Sequence, residues 1–303
     1  MQKPKGVIPA TITAFNSDGS LDIEKTKAYA EWLIQEGVHG LVPNGSTAEP
    51  MSITEEERMQ VIKATVDQAA GRVPVYAGAT HYGTQMQIDL CKAAMDVGAA
   101  GHLVLLPLSQ AELPVSSAMT HLRKIADGIG QPFILYNNPY AAGYELTNEQ
   151  VKELVDDGVV NGIKAAHGDP SRVTYLKYLC GDRLSVLYGH DFAGWEALMA
   201  GADGWLAAIP GVIPDLIVQL YEAIHDNRDF ELGTQIWKRM APYVYYYNFA
   251  ESKPHWVAVN KATLRARGLD FGECRSPVEP FTDEEYDVLL RALAPVYPEA
   301  VLA

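Results

Sequence analysis

One complete unit of the pattern that decides the fold lies in residues 133–164, FILYNNPYAAGYELTNEQVKELVDDGVVNGIK. It opens with Phe133–Asn137, an apolar run typical of a buried strand. Thr147–Gln150 matches a capping box, in which a hydroxyl and a side-chain amide satisfy free N–H groups at the start of a helix. Gly158 is a helix stop signal, and Val160–Lys164 is a second strand-like run. The stretch therefore predicts two parallel strands joined by a crossover helix.

The same alternation extends along most of the chain. Eight strand-like runs occur: Val7–Phe15, Val38–Pro43, Val73–Ala79, His102–Leu106, Phe133–Asn137, Val160–Lys164, Leu184–Tyr188 and Gly204–Ile209. Helical stretches separate them, and eight such units predict an α/β protein with a (β/α)8 TIM barrel. A doubly wound open sheet is the competing architecture. It usually carries a G-x-G-x-x-G turn after its first strand, whereas Thr13–Gly19 reads TAFNSDG.

Strand signals fade beyond about residue 226. Three helical segments are predicted there: roughly 229–249, 253–268 and 282–295. No Pro-, Gly- or Ser-rich linker precedes them, so we expect a barrel domain over residues 1–226 and a C-terminal three-helix extension over 227–303. The aromatic stretch Tyr243–Phe249 is interpreted as packing on the barrel or on another subunit.

Composition and charge exclude several classes of protein. The chain has 303 residues, 48% of them hydrophobic and 20% charged, as in ordinary globular proteins. Lys and Arg total 24 against 38 Asp and Glu, and the net charge of −14 disfavours nucleic acid and anionic membranes as partners. The pattern of the first residues predicts no signal peptide, and no stretch is apolar enough to predict a membrane span. The three cysteines, Cys91, Cys180 and Cys274, are odd in number and far apart. We therefore expect a cytoplasmic protein with a small-molecule substrate.

The carboxyl ends of barrel strands converge on one mouth, where active sites of this fold lie. Lys164 ends a predicted strand there. Burial in an apolar interior disfavours a charged ammonium, and a free amine forms a Schiff base with a carbonyl compound. Tyr136 ends the preceding strand, about 4.8 Å away, and its phenol can donate a proton and take it back. The alternatives are a lysine that pairs with a carboxylate or phosphate, and a tyrosine whose ring fills the core.

Two further groups follow predicted strands. Asn44–Glu49, NGSTAE, combines a turn glycine with two hydroxyls and can hold a carboxylate, although such loops are commonly plain turns. Several possible metal ligands are expected at the same end of the barrel: His81, His167 and His190 with Asp191. They would suit a divalent metal. A metal-dependent aldolase or hydrolase is therefore a second hypothesis, beside Schiff-base chemistry at Lys164. Against a metal, the first strand has no His-x-His pair.

Three motifs taken together are specific. They are Gly45–Glu49 (GSTAE), Leu135–Pro139 (LYNNP) and Gly162–Lys164 (GIK). In this order and spacing they resemble the dihydrodipicolinate synthase and N-acetylneuraminate lyase family, and the resemblance runs from Gly6–Phe15 to the C-terminal helices. It implies a class I Schiff-base lyase that forms an imine with pyruvate or another 2-oxo acid, needs no metal or organic cofactor, and assembles as homotetramers or dimers.

The resemblance also implies roles for individual residues. Lys164 would form the Schiff base, Tyr136 would act as general acid and base, and Ser46 would relay protons to that tyrosine. Thr47 would bind the substrate carboxylate through its backbone N–H and hydroxyl, and Leu206 would offer a backbone contact to pyruvate. The residues expected to bind the 2-oxo acid are thus Gly45, Thr47 and Leu206.

Departures from the family pattern narrow the range of substrates that the protein is expected to accept. Dihydrodipicolinate synthases carry an arginine shortly after the tyrosine motif, where Tyr140–Gly143 reads YAAG. At the position of Leu108-Ser109 they also carry a tyrosine, which enters the proton relay of the neighbouring subunit. Neuraminate lyases differ from this chain at another position, where they have glycine in place of Ala48. We therefore expect a lyase or dehydratase for a 2-keto-3-deoxy sugar acid or a hydroxylated 2-oxo acid, and not a true dihydrodipicolinate synthase. A non-catalytic sensor that binds a 2-oxo acid is a third hypothesis.

Overall fold

The computed structural model describes residues 3–108, 113–251 and 254–298. Ser109 of the sequence analysis lies outside these ranges. The described residues contain seven parallel strands in one curled sheet, in the order β1-β7-β6-β5-β4-β3-β2. The strands are β1 Gly6–Pro9, β2 Tyr76–Gly78, β3 Gly101–Leu105, β4 Phe133–Asn137, β5 Val160–Ala165, β6 Ser185–Tyr188 and β7 Gly204–Ala207.

The helices surround this sheet and continue beyond it. They are α1 Ile23–Gln35, α2 Glu55–Ala69, α3 Thr84–Asp96, α4 Val115–Ile129, α5 Pro139–Ala142, α6 Asn148–Asp156, α7 Ser171–Cys180, α8 Gly194–Met199, α9 Pro214–His225, α10 Phe230–Phe249, α11 Trp256–Ala266 and α12 Asp283–Leu293. The predicted capping box at Thr147 forms, and Thr54 and Thr282 form the same arrangement, since each hydroxyl accepts the N–H of the third residue after it. None of the described helices is long and apolar enough to cross a membrane.

The predicted strand Val38–Pro43 completes the barrel through isolated pairs. Val42 pairs with Ala10, which follows β1, and Leu41 pairs with Val75, which precedes β2, both in parallel. The segment therefore lies between the two edge strands and closes the sheet. The predicted (β/α)8 barrel with C-terminal helices is confirmed, with its second strand reduced to these bridges.

The first predicted strand, Val7–Phe15, is too long by several residues. Strand β1 ends at Pro9, and the pairing with β7 ends one residue later, where Ala10 N donates to Ala207 O at 2.9 Å. The N–H of Thr11 donates to Val42 O at 3.0 Å, and that of Phe15 donates to Phe271 O at 3.1 Å. The chain beyond β1 thus turns toward the mouth of the barrel and the C-terminal segment.

Alternate side chains of each strand point into the barrel or outward to the helices. In β4, Ile134 and Tyr136 belong to the inner apolar cluster, while Phe133 and Leu135 belong to the larger core between sheet and helices. Tyr136 is the register partner of Lys164 in β5. The phenol and the amine are therefore neighbours at the carboxyl end of the barrel.

A buried histidine makes the stability of the fold depend on pH. His102 of β3 is fully buried, and neither ring nitrogen has a hydrogen-bond partner among the described residues. Burial lowers its pKa from 6.5 to about 4. Between these pH values only the unfolded chain binds the proton, so the free energy of unfolding falls as the pH drops through this range, by about 2 kcal/mol between pH 7 and pH 5.

The variant His102→Leu is expected to lose this part of the pH dependence. Urea unfolding of both proteins at pH 7 and pH 5 measures the difference. The other buried histidines titrate in both proteins, so the comparison isolates His102. An equal fall in the free energy of unfolding in both proteins would contradict the assignment.

Candidate active site

An amine and a phenol lie side by side in the mouth of the barrel. Lys164 Nζ is 4.1 Å from the centroid of the Tyr136 ring, and the two residues are only 4% and 6% exposed. Across residues 3–108, 113–251 and 254–298, no carboxylate lies within ion-pair distance of Lys164. The lysine is thus not held by a described acidic partner, unlike the paired lysine considered from the sequence.

The phenol oxygen contacts two polar side chains. Ser46 begins a short 3₁₀ turn, Ser46–Ala48, and its Oγ is 3.3 Å from Tyr136 Oη. Asn138 Nδ2 donates to the same oxygen at 2.9 Å. The structure therefore brings Ser46, Tyr136 and Lys164 together, as predicted, and adds Asn138. The Asn138-Pro139 pair is a helix-start signal in the sequence, but it gives no sign of a contact with the tyrosine.

The loop that carries Ser46 is held from several sides. Asn44 has a φ of 58°, and its Nδ2 donates to Arg58 O at 3.0 Å. Thr13 Oγ1 donates to Ala48 O at 2.8 Å. At the end of the loop, Glu49 forms a buried ion pair of 2.9 Å with Lys261 of α11. The segment after β1, helix α2 and helix α11 together therefore fix the position of the serine.

A cavity of about 460 Å³ opens at this end of the barrel. It is lined by Ser46, Thr47, Tyr136, Asn138, Tyr140, Ala141, Lys164, Ala166, Gly189, His190, Asp191, Ala207, Ala208, Tyr247, Asn248 and Trp256. The predicted residues Lys164, Tyr136, Ser46 and Thr47 all face it. Gly45 and Leu206 do not line it, and Leu206 lies fully buried in the inner barrel cluster. Their contacts with a substrate stay predictions.

The C-terminal helices supply one wall of the cavity. Tyr247 and Asn248 come from α10 and Trp256 from α11. The sequence pattern predicts that the aromatic residues of this region pack on the barrel or on another subunit. Tyr243 fits that interpretation because it is fully buried, but Tyr247 also faces the cavity, and its hydroxyl donates to Asn260 Oδ1 at 2.9 Å. No local pattern in α10 or α11 distinguishes a cavity wall from a packing surface.

The three histidines considered as metal ligands do not meet in one cluster within the described residues. Of the three, His190 lines the cavity. His81 Nε2 lies 3.7 Å from a Glu55 oxygen, and burial lowers the pKa of His167 to about 4. The described part of the chain contains no group of three or more His, Cys, Asp or Glu side chains placed to hold a metal ion.

Comparison with known proteins identifies the family. The sequence pattern of the dihydrodipicolinate synthetase family matches residues 3–295. The chain belongs to this family. It is 33% identical to an uncharacterized DapA-like lyase of Halobacterium salinarum, over 95% of this chain and 93% of the relative. It is 32% identical to the 4-hydroxy-tetrahydrodipicolinate synthase of Methanosphaerula palustris, over 96% of this chain and 98% of the relative.

Solved structures of dihydrodipicolinate synthetase relatives share the fold. The dihydrodipicolinate synthase of Acinetobacter baumannii, crystallised with pyruvate, superposes with a TM-score of 0.88 at 29% identity, covering 96% of this chain and 98% of the other. The sialic acid aldolase of Ruminococcus gnavus superposes with a TM-score of 0.89 over 99% and 98%, at 24% identity. The family resemblance and the expected lyase class are thus confirmed.

Proposed function

We propose that this protein is a Schiff-base-forming lyase that acts on pyruvate or a related 2-oxo acid. The reaction would be aldol cleavage or condensation, or dehydration, of a 2-keto-3-deoxy or hydroxylated 2-oxo acid. The observation that carries the proposal is the buried pair of Lys164 and Tyr136, in which the amine has no carboxylate partner among the described residues. An amine in this position can attack a ketone that enters the cavity.

The chemistry assigns a role to each group around the ketone. The Lys164 nitrogen attacks the carbonyl carbon, and the resulting carbinolamine loses its oxygen as water after Tyr136 supplies a proton. The Tyr136 phenolate then takes back a proton, either from C3 or from the hydroxyl of a carbon fragment that leaves as an aldehyde. The iminium accepts the electron pair released by that bond cleavage, which gives an enamine and restores the phenol. Ser46 is the hydroxyl proposed to relay protons to Tyr136. Thr47 binds the carboxylate, with Gly45 and Leu206 as the other proposed contacts to the 2-oxo acid.

The charge of the cavity supports a substrate whose second half is hydroxylated and uncharged. Lys164 is the only lysine or arginine among the described residues that line it. Among these described lining residues a second carboxylate would find no guanidinium to bind it, which disfavours condensation with aspartate semialdehyde. The side chains of Tyr140, Asp191 and Asn248 offer hydrogen-bonding groups suited to hydroxyls.

Two measurements test the proposal. Pyruvate with borohydride should add a covalent mass at Lys164, and NMR of the products after incubation with a panel of 2-oxo acids should identify the substrate. Modification of a different peptide with Lys164 intact would reject the assignment. Activity that disappears on chelation and returns with metal would favour a metal-dependent aldolase or hydrolase, and binding without turnover would favour a sensor.

A glycine beside the lysine offers a further test. A Cβ at Gly189 would lie 2.6 Å from Lys164 Cγ and 3.0 Å from the carbonyl oxygen of Ala165. Gly189→Ala is therefore expected to displace the amine and slow borohydride trapping of pyruvate by about 100-fold, since a shift near 1 Å has that cost. The control is Gly83→Ala, whose Cβ would meet only the flexible Met86 side chain, at 3.3 Å. Trapping at the wild-type rate in Gly189→Ala would show that the lysine position is not critical.

We also propose that the protein is a homotetramer or dimer of the cytoplasm. All three cysteines, Cys91, Cys180 and Cys274, are free, which agrees with a reducing compartment. A related dihydrodipicolinate synthase variant is described as the first monomeric one, which supports assembly as the usual state among such relatives. Light scattering of the purified chain measures the oligomer directly.

A further inference from the structure

The side-chain amide of Asn138 has a fixed orientation. Its Oδ1 accepts the backbone N–H groups of Tyr140 and Ala141 at 3.0 and 3.3 Å, as the N-cap of α5. The opposite end, Nδ2, donates to Tyr136 Oη at 2.9 Å. Because the two N–H groups need an acceptor, the oxygen must face the helix and the nitrogen must face the phenol. Asn138 can therefore only donate to Tyr136.

The segment that carries Asn138 is anchored on both sides. The preceding residue, Asn137, is fully buried, and its side chain bonds both backbone groups of Leu146, accepting at 2.9 Å and donating at 3.0 Å. At the far end of α5, Gly143 N donates to Pro139 O at 2.9 Å. Asn138 itself is only 9% exposed. The amide thus stands at a set place relative to the phenol.

Because the Asn138 amide can only donate, it limits the hydrogen bonds that the Tyr136 hydroxyl can make. A phenol oxygen has one proton to donate and two positions to accept. Asn138 occupies one accepting position, and Ser46, at 3.3 Å, occupies the other whenever its hydroxyl donates. The phenol proton is then left to point into the cavity. The same N–H stabilises the negative charge that develops on the oxygen as this proton leaves.

We propose that Asn138 is a positioning residue for Tyr136, directing the phenol proton toward the 2-oxo acid and stabilising the oxygen that gives it up. This inference rests on the proposed function. It adds a third member to the Ser46 and Tyr136 pair, supplied by the same chain and the same strand end as the tyrosine.

The variant Asn138→Asp separates positioning from helix capping. Aspartate has nearly the same shape and caps helices as well as asparagine does, so a role limited to capping predicts unchanged activity. A directing role predicts a loss of about 10- to 100-fold near pH 8, because a carboxylate oxygen would accept the phenol proton and repel a phenolate. The assay is exchange of the pyruvate methyl protons with deuterated water, followed by NMR, which needs only the imine and the enamine.

A pH profile and a double variant complete the experiment. The deficit of Asn138→Asp should shrink only below about pH 4, where a protonated carboxyl can donate again. In a Tyr136→Phe background the same change should cause no further loss, since its partner is gone. Asn138→Ser, which caps the helix but is too short to reach the phenol, should show the loss without recovery at low pH; circular dichroism checks that each variant folds.

The outcomes distinguish the two proposals. A wild-type protein that exchanges no deuterium and traps no pyruvate overturns the proposed function, and this inference with it. Normal exchange in the wild type and in Asn138→Asp overturns the inference alone. An equal loss with and without the Tyr136 hydroxyl also overturns it, because Asn138 would then not act through the phenol.

Discussion

Replacement of Lys164 by methionine is expected to lower turnover by about 10⁴-fold or more, the largest effect of any single change in the protein. Methionine matches the length and apolar stem of lysine but has no nucleophile. Methionine also carries no charge that would have to be stripped of water in a site where the lysine is only 4% exposed. The folded state should therefore be at least as stable as the wild type. Initial rates on the substrate found by NMR, together with thermal melts, test both statements.

The chain carries its own control for the labelling of this lysine. Lys261 is also 4% exposed, but its Nζ is paired with Glu49 at 2.9 Å and donates to Glu273 O at 2.8 Å. An ammonium held by a carboxylate is a poor nucleophile. Peptide mass spectrometry after treatment with pyruvate and borohydride should thus find the adduct on Lys164 and not on Lys261. Activity retained in Lys164→Met would place the reacting amine elsewhere.

Replacement of Tyr136 by phenylalanine is expected to reduce turnover by about 10²- to 10⁴-fold, the range for loss of a general acid and base. Phenylalanine keeps the ring that lies beside Lys164 Nζ and preserves the shape of the cavity. It removes only the oxygen that contacts Ser46 and Asn138. The expected result is slow formation of the imine at an unchanged lysine, measured as kcat and as the rate of borohydride trapping.

Tyr188 provides the matched control for this change. It also ends a barrel strand, but its side chain belongs to the outer core, and its hydroxyl donates to Gly168 O at 3.1 Å. Tyr188→Phe should cost about 1 kcal/mol of stability through the lost hydrogen bond and leave kcat unchanged. A decrease of less than about tenfold in Tyr136→Phe would remove that phenol from the proton transfers.

Local chemistry accounts for much of what the sequence predicted correctly. The capping boxes at Thr54, Thr147 and Thr282 depend on residues three positions apart, so their hydrogen bonds follow from the sequence alone. The meeting of Tyr136 and Lys164 follows from strand alternation and from parallel strands that are neighbours along the chain. Both kinds of inference use short-range rules, and both agree with the structure.

Features that depend on packing between distant segments were not predictable in the same way. The cavity wall from Tyr247, Asn248 and Trp256 lies more than eighty positions along the chain from Lys164, and nothing in those helices marks the face that turns toward the mouth. The contact from Asn138 to the phenol depends on a loop geometry that the strand pattern does not define. The predicted second strand is present as isolated bridges at Leu41 and Val42, which the local sequence pattern did not indicate.

The wall formed by α10 and α11 places part of the cavity lining far along the gene from the proposed reacting groups. The amine and phenol proposed to react are encoded within residues 136–164, whereas this wall of their cavity is encoded after residue 246. Recombination or mutation confined to the 3′ end can therefore reshape which molecules are admitted while the bond-making centre is inherited intact. Libraries of variants at Tyr247, Asn248 and Trp256 are accordingly a small set with which to change the substrate range of this protein.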